Sequence, residues 1–236
     1  DYYQKGLGKS LGFLVGALVL GTALPHLLKD LFINLSWKIV LFTTSTLAVI
    51  GGLLMLLFVK NGPFRKPSTT LDISICFTVF KNVNFRKAAF GYFGHMWELY
   101  TFWAFVPVLL FTYQNLHPEI NFNISLLSFI IIASGSISCV LGGYVSQKFG
   151  VKKTAFSFLF LSCVCCIAAP FVLHLANKTI FILFLLFWGM VVIADSPLFS
   201  TLIAQNAPSK DKGTALTIVN SIGFLITIIS IQIIGG

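Results

Sequence analysis

Two carboxylates interrupt apolar sequence. Glu98 lies within Gly91-Tyr92-Phe93-Gly94-His95-Met96-Trp97-Glu98-Leu99-Tyr100, and Asp195 within Ala194-Asp195-Ser196-Pro197. An ionised acid at lipid depth is costly unless it faces a cavity or a partner, so it marks a solute or proton path by default. Helical spacing sets Gly91, Gly94, His95, Glu98 and Thr101 on one side, with Trp97 and Tyr100 flanking them. His95, one turn from Glu98, is placed to join a proton relay. Beside Asp195, Pro197 removes a backbone donor and bends its helix, freeing carbonyls for a solute or a proton. The plainer alternative for each acid is a structural one: a glutamate satisfied by a neighbouring helix, an aspartate held at a kink.

Whether these acids lie in lipid depends on the segments that hold them. Hydrophobic residues make up 57% of the 236 and charged residues 10%. The mean hydropathy is +0.92, which excludes a water-soluble domain. The composition is that of an all-α, polytopic membrane chain. Seven apolar segments reach the roughly 20 residues that cross a bilayer, near 9–28, 37–59, 88–113, 124–146, 154–175, 179–204 and 213–234. The net charge of +9 does not make a nucleic-acid binder, because the bases interrupt apolar runs of spanning length.

The first span carries Gly12-x-x-x-Gly16, a face for close helix packing, and His26 near its end as an interfacial side chain. Between Lys60 and Lys87 lies the longest polar stretch; its apolar part, Leu71 to Phe80, is too short to cross and reads as a helix lying in the interface. Ser134, Ser136 and Ser138 form a weak polar track in the fourth span, while the fifth is bland. Cys139, Cys163, Cys165 and Cys166 sit in apolar runs as small hydrophobes, so no metal site is expected. Asn34, Asn123 and Asn177 each begin an Asn-x-Ser/Thr sequence in short loops, read as accidental matches.

Of the 16 Lys and Arg, all but Lys29, Lys38 and Lys178 fall on one side of the expected spans, which is therefore cytoplasmic. The chain then begins inside and ends outside. A seven-helix receptor runs the other way, and a retinal protein needs a lysine deep in its last helix, where Gly213 to Ile234 has none. No Gly-x-Ser-x-Gly, His-Glu-x-x-His or phosphate loop occurs, so an enzyme is not expected. The start at Asp1, without methionine or leader, and the end at Gly235-Gly236 read as those of a piece of something longer.

Between the fourth and fifth spans, Gly142-Gly143-Tyr144-Val145-Ser146-Gln147-Lys148-Phe149-Gly150-Val151-Lys152-Lys153 reads as a short basic turn. Glycines let the helices approach closely, and the three lysines hold the turn on the cytoplasmic side. It resembles the loop motif of the major facilitator superfamily of transporters, Gly-x-x-x-Asp-Arg/Lys-x-Gly-Arg-Arg/Lys. Gly143, Lys148, Gly150 and Lys152 match; Gln147 replaces the acid and Val151 a base. A weak repeat points the same way: Gly6-Leu7-Gly8-Lys9-Ser10-Leu11 opens the first span and Gly213-Thr214-Ala215-Leu216 the last. Gly8 and Gly213 lie about 205 residues apart, the offset of an internal repeat.

In that superfamily twelve helices form two six-helix halves, and such a motif opens the fifth helix of each. The resemblance implies that the seven spans are helices five to eleven. Residues 1–59 would then end the N-terminal half, 60–87 would be a cytoplasmic linker with its interfacial helix, and 88–236 would belong to the C-terminal half. Glu98 and Asp195 would lie on helices seven and ten, which line the central cavity. Counted from the span centres, both sit about 4–5 Å to the cytoplasmic side of the midplane, where two acids can share a proton.

The resemblance implies a multi-pass plasma-membrane transporter working by alternating access. Its partners are a small solute, protons and the bilayer, with no cofactor. Proton coupling falls to Glu98 and Asp195, and His95, Trp97 and Tyr100 shape the solute site. The wording around Glu98 and Asp195 is similar to bacterial permeases loosely grouped with the nitrate/nitrite and cyanate transporters. No arginine lies within any span, which argues against nitrate. The alternatives are an uncoupled facilitator of a cationic solute and a membrane sensor that has lost transport.

Overall fold

The structure, a computed structural model, describes residues 6–32, 36–62, 75–208 and 212–235. The helices are α1 (Leu7–Leu31), α2 (Trp37–Phe58), α3 (Ile75–Thr78), α4 (Val83–Leu116), α5 (Ile124–Phe149), α6 (Val151–Leu173), α7 (Lys178–Ala194), α8 (Ser196–Asn206) and α9 (Lys212–Gly235). A 3-10 turn, Val79–Lys81, joins α3 to α4. Six segments are long and apolar enough to cross a membrane, α7 and α8 counting as one. These are six of the seven expected spans. The other, α4, has 34 residues, ample length at 1.5 Å per residue, but His95, Glu98 and the flanking Trp and Tyr dilute its apolar character.

Short polar side chains set where helices begin. Asn82 accepts from the amides of Asn84 and Phe85 at the start of α4, and Asn123 from Leu126 at the start of α5. Asn177 accepts from Thr179 and Ile180 to open α7. Each satisfies donors that the first helical turn leaves free. Two of the three Asn-x-Ser/Thr sites are thus N-caps; Asn34 lies outside the described residues.

The basic turn is tighter than the sequence reading made it. α5 runs on through Phe149 and α6 begins at Val151, so Gly150 alone separates them, at φ 88 and ψ 142. The positive φ is open to glycine and strained for other residues. Gly143 and Lys148 belong to α5 and Lys152 to α6, so the motif is mostly helix, bent once.

α1 lies against α5 at backbone distance. A Cβ on Gly12 would stand 2.7 Å from the Cys139 carbonyl oxygen, and one on Gly16 would stand 2.9 Å from that of Ser136. The expected small-residue face is this contact. α2, by contrast, has no buried residue. The two ends of the repeat are not equivalent: a Cβ on Gly8 would meet Ser146 at 3.2 Å, whereas nothing lies within 4 Å at Gly213. Of the expected interfacial helix, residues 71–74 lie outside the described residues; Ile75 and Val79 of the remainder are buried.

The buried side chains form two apolar clusters. One holds Leu99, Phe102 and Tyr113 of α4 with Phe181, Leu185 and Ile193 of α7. The other holds Phe85, Tyr92 and Met96 of α4 with Leu198 and Phe199 of α8 and Val219 of α9. The junction falls between Met96 and Leu99 on one side and between Ile193 and Leu198 on the other. Asp195 lies in that junction, and His95 borders it next to Met96.

Candidate functional site

Asp195 ends α7 and opens α8. Its carbonyl oxygen accepts from the amides of Leu198 and Phe199 at 3.0 and 2.8 Å. Pro197, in the first turn of α8, has no N–H to offer the Ile193 carbonyl four residues back. The thiol of Cys139 from α5 reaches that carbonyl instead, at 3.6 Å, and Ser138 donates to the carbonyl of Met190. The break expected at Pro197 is therefore present, and Cys139 of α5 meets the carbonyl that Pro197 leaves without a donor. Ser138, read in the sequence as part of a weak polar track, and Cys139, read as a hydrophobe, are thus the α5 side chains that bond to the α7 backbone.

The Asp195 side chain is 1% exposed and faces α4. Its Oδ1 stands 2.8 Å from Nδ1 of His95, itself 1% exposed. That is ion-pair distance, and no other group reaches Oδ1 among the described residues. The imidazole sits between the rings of Tyr92 and Phe199, each with its centroid 6.0 Å away. Its Nε2 is buried without a partner among the described residues. A buried polar atom left unpaired is costly enough to need a purpose.

Glu98 goes elsewhere. Its Oε1 accepts from the hydroxyl of Ser162 and, at 3.1 Å, from the thiol of Cys166, both on α6. The structure thus pairs Asp195 with His95 and Glu98 with α6, rather than one acid with the other. Glu98 also lines a cavity of about 470 Å³ with Trp97, Thr101, Phe102, Cys166 and Trp188. The Trp188 indole N–H is buried and without a partner among the described residues. Trp97 is 37% exposed. Tyr100 takes a third direction, edge-on to Trp103 at 5.3 Å and to Phe224 of α9 at 5.7 Å.

Ser162 was not singled out from the sequence, and Cys166 was read there only as a small hydrophobe. Their signal was there: two hydrogen-bonding side chains at i and i+4 on an apolar helix share one face.

The loop-motif residues stand apart from these acids. Lys148 lies over the Phe149 ring at 5.4 Å, Gly143 lies against the Gly8 backbone, and Lys152 lines a different cavity with Lys87.

The chain-wide comparison agrees with the helix pattern: the family model described as Major Facilitator Superfamily matches residues 1–231. The chain belongs to the major facilitator superfamily. No curated protein and no solved structure matches it. Membership makes this a multi-pass membrane protein of a transporter family, not of an enzyme family, whose members move small solutes across the bilayer. The helical bundle, free of strands among the described residues, is that of a partial superfamily fold.

Proposed function

We propose that the chain forms part of a secondary transporter that moves a small solute by alternating access, coupled to protons, with the Asp195–His95 pair as the protonation site. One observation carries this: a wholly buried carboxylate at a helix break, 2.8 Å from a wholly buried imidazole whose second nitrogen is unpaired. A carboxylate or an imidazolium alone in this apolar junction would be costly, and together they compensate. Adding or removing one proton changes that balance where α7 meets α8. A broken helix near mid-span is also where superfamilies of this kind place coupling sites. α7 is anchored in one apolar cluster and α8 in the other, so the break lies where the two clusters meet.

On this reading Glu98 is a second charge on the solute path, held by α6. The lysine-rich end of the bundle faces the cytoplasm, the membrane is the plasma membrane, and the helices are five to eleven. The close α1–α5 packing and the break at Asp195 fit the resemblance to the fifth helix and to the permeases near the nitrate/nitrite and cyanate group. Residues 1–59, 60–87 and 88–236 are the end of one half, the linker and most of the other half.

A second reading has an observation of its own. Glu98 and the aromatic faces of Trp97 and Trp188 line one cavity, and a carboxylate beside indole rings suits an organic cation. The protein would then be an uncoupled facilitator of a cationic solute.

Uptake of a panel of labelled solutes into proteoliposomes of the full-length protein, with and without an imposed pH gradient, separates these readings. Accumulation that needs the gradient supports coupling. Gradient-independent equilibration of cations supports the facilitator, and no flux of any solute leaves a sensor.

A further inference from the structure

A cavity of about 520 Å³ opens between α4, α6 and α8, with Phe199 standing between it and His95. Asn84, Lys87, Lys152 and Asn206 stand at its polar end. Ala155, Leu159, Phe199 and Leu202 make its apolar wall. Phe156 at the edge is 68% exposed, so the cleft is open to the bundle's surroundings. Higher up, α4 and α6 are tied together by Glu98, Ser162 and Cys166.

The charge of this cleft is one-sided. Among the described residues no acid lines it, and neither Lys87 nor Lys152 is paired with a carboxylate. The described acids are distant: Asp30 binds Asn123 and Glu119 nears His117, where α4 ends and α5 begins, while Glu98 and Asp195 lie in mid-span. Lys152 sits in the first turn of α6, whose N-cap, Gly150, supplies no side-chain acceptor.

We propose that this cleft binds an anionic phospholipid, with the phosphate between Lys87 and Lys152 and the first part of an acyl chain along Ala155, Leu159 and Leu202. Two cations at the rim with an apolar wall behind them fit an amphiphile. Free phosphate would gain nothing from that wall. The lysine-rich end faces the anionic leaflet under the positive-inside bias, where each surface base adds to lipid attraction. The inference rests on that orientation and not on proton coupling.

The test uses the full-length protein purified in detergent, titrated with phosphatidylglycerol, with phosphatidylcholine and with inorganic phosphate, and read by native mass spectrometry and thermal melting. Phosphatidylglycerol should bind in preference to phosphatidylcholine and raise the melting midpoint. The double variant Lys87→Gln/Lys152→Gln should lose that preference, with affinity falling about tenfold or more. A charge-matched control, Lys81→Gln/Lys153→Gln, should keep it. Equal binding of the two lipids overturns the proposal, as does an unchanged Lys87/Lys152 variant. Displacement of the lipid by inorganic phosphate at similar concentration would show a free-anion site instead, and the lipid proposal would fail.

Discussion

Glu98 on α4 and Ser162 on α6 are joined by a hydrogen bond, the hydroxyl donating to the carboxylate. α4 and α6 therefore meet through a polar contact at mid-span, with Cys166 as a weaker second donor. Ser162→Ala leaves the half-buried carboxylate with the thiol alone, and stability should fall by about 1–3 kcal/mol. In a Glu98→Gln background the same change should cost clearly less. Melting of the four proteins of this double-mutant cycle measures the coupling directly, and additive losses would mean that the two side chains do not meet.

Gly150 makes the whole connection between α5 and α6 at φ 88. Gly150→Ala should cost about 1–3 kcal/mol, the range for a side chain forced into such a backbone region. Gly213, in α9, has no positive φ and nothing within 4 Å, so Gly213→Ala should leave the melting midpoint unchanged or raised. Equal effects from the two substitutions would contradict the single-residue turn.

The α1–α5 contact makes a similar contrast within one helix. A Cβ on Gly12 would press on the Cys139 carbonyl at 2.7 Å, whereas Gly21 has nothing within 4 Å. Gly12→Ala should push the helices apart at a cost of about 1–3 kcal/mol. Gly21→Ala should be neutral or slightly stabilising, since alanine is the better helix former. Thermal melting in detergent checks both.

Much of this was legible in the sequence because apolar length and glycine spacing are local signals. The spanning segments, the close-packing face at Gly12 and Gly16, and the break near Pro197 each follow from a few adjacent residues. Partner choice is not local. Glu98 and Asp195 looked alike in sequence, two acids at similar depth, but helix rotation turns Glu98 to α6 and leaves His95, three residues earlier, facing Asp195. That rotation depends on Tyr92 and Met96 of α4 packing with Phe199 of α8 and Val219 of α9, three helices that no window of sequence contains. The turn at Gly150 was overextended for a simpler reason: Ser146, Lys148 and Lys152 are polar, yet polar residues continue a helix readily where it leaves the bilayer.

Proton coupling through Asp195 is tested most directly by comparing two fluxes of the same full-length variant in proteoliposomes. Asp195→Asn keeps the size and much of the polarity of the side chain but cannot exchange a proton. For the solute that the wild-type protein accumulates, the variant should lose accumulation driven by a pH gradient while still exchanging solute across the membrane at equilibrium. If Asp195→Asn still accumulates that solute in response to the gradient, Asp195 is not the coupling group, and the account fails.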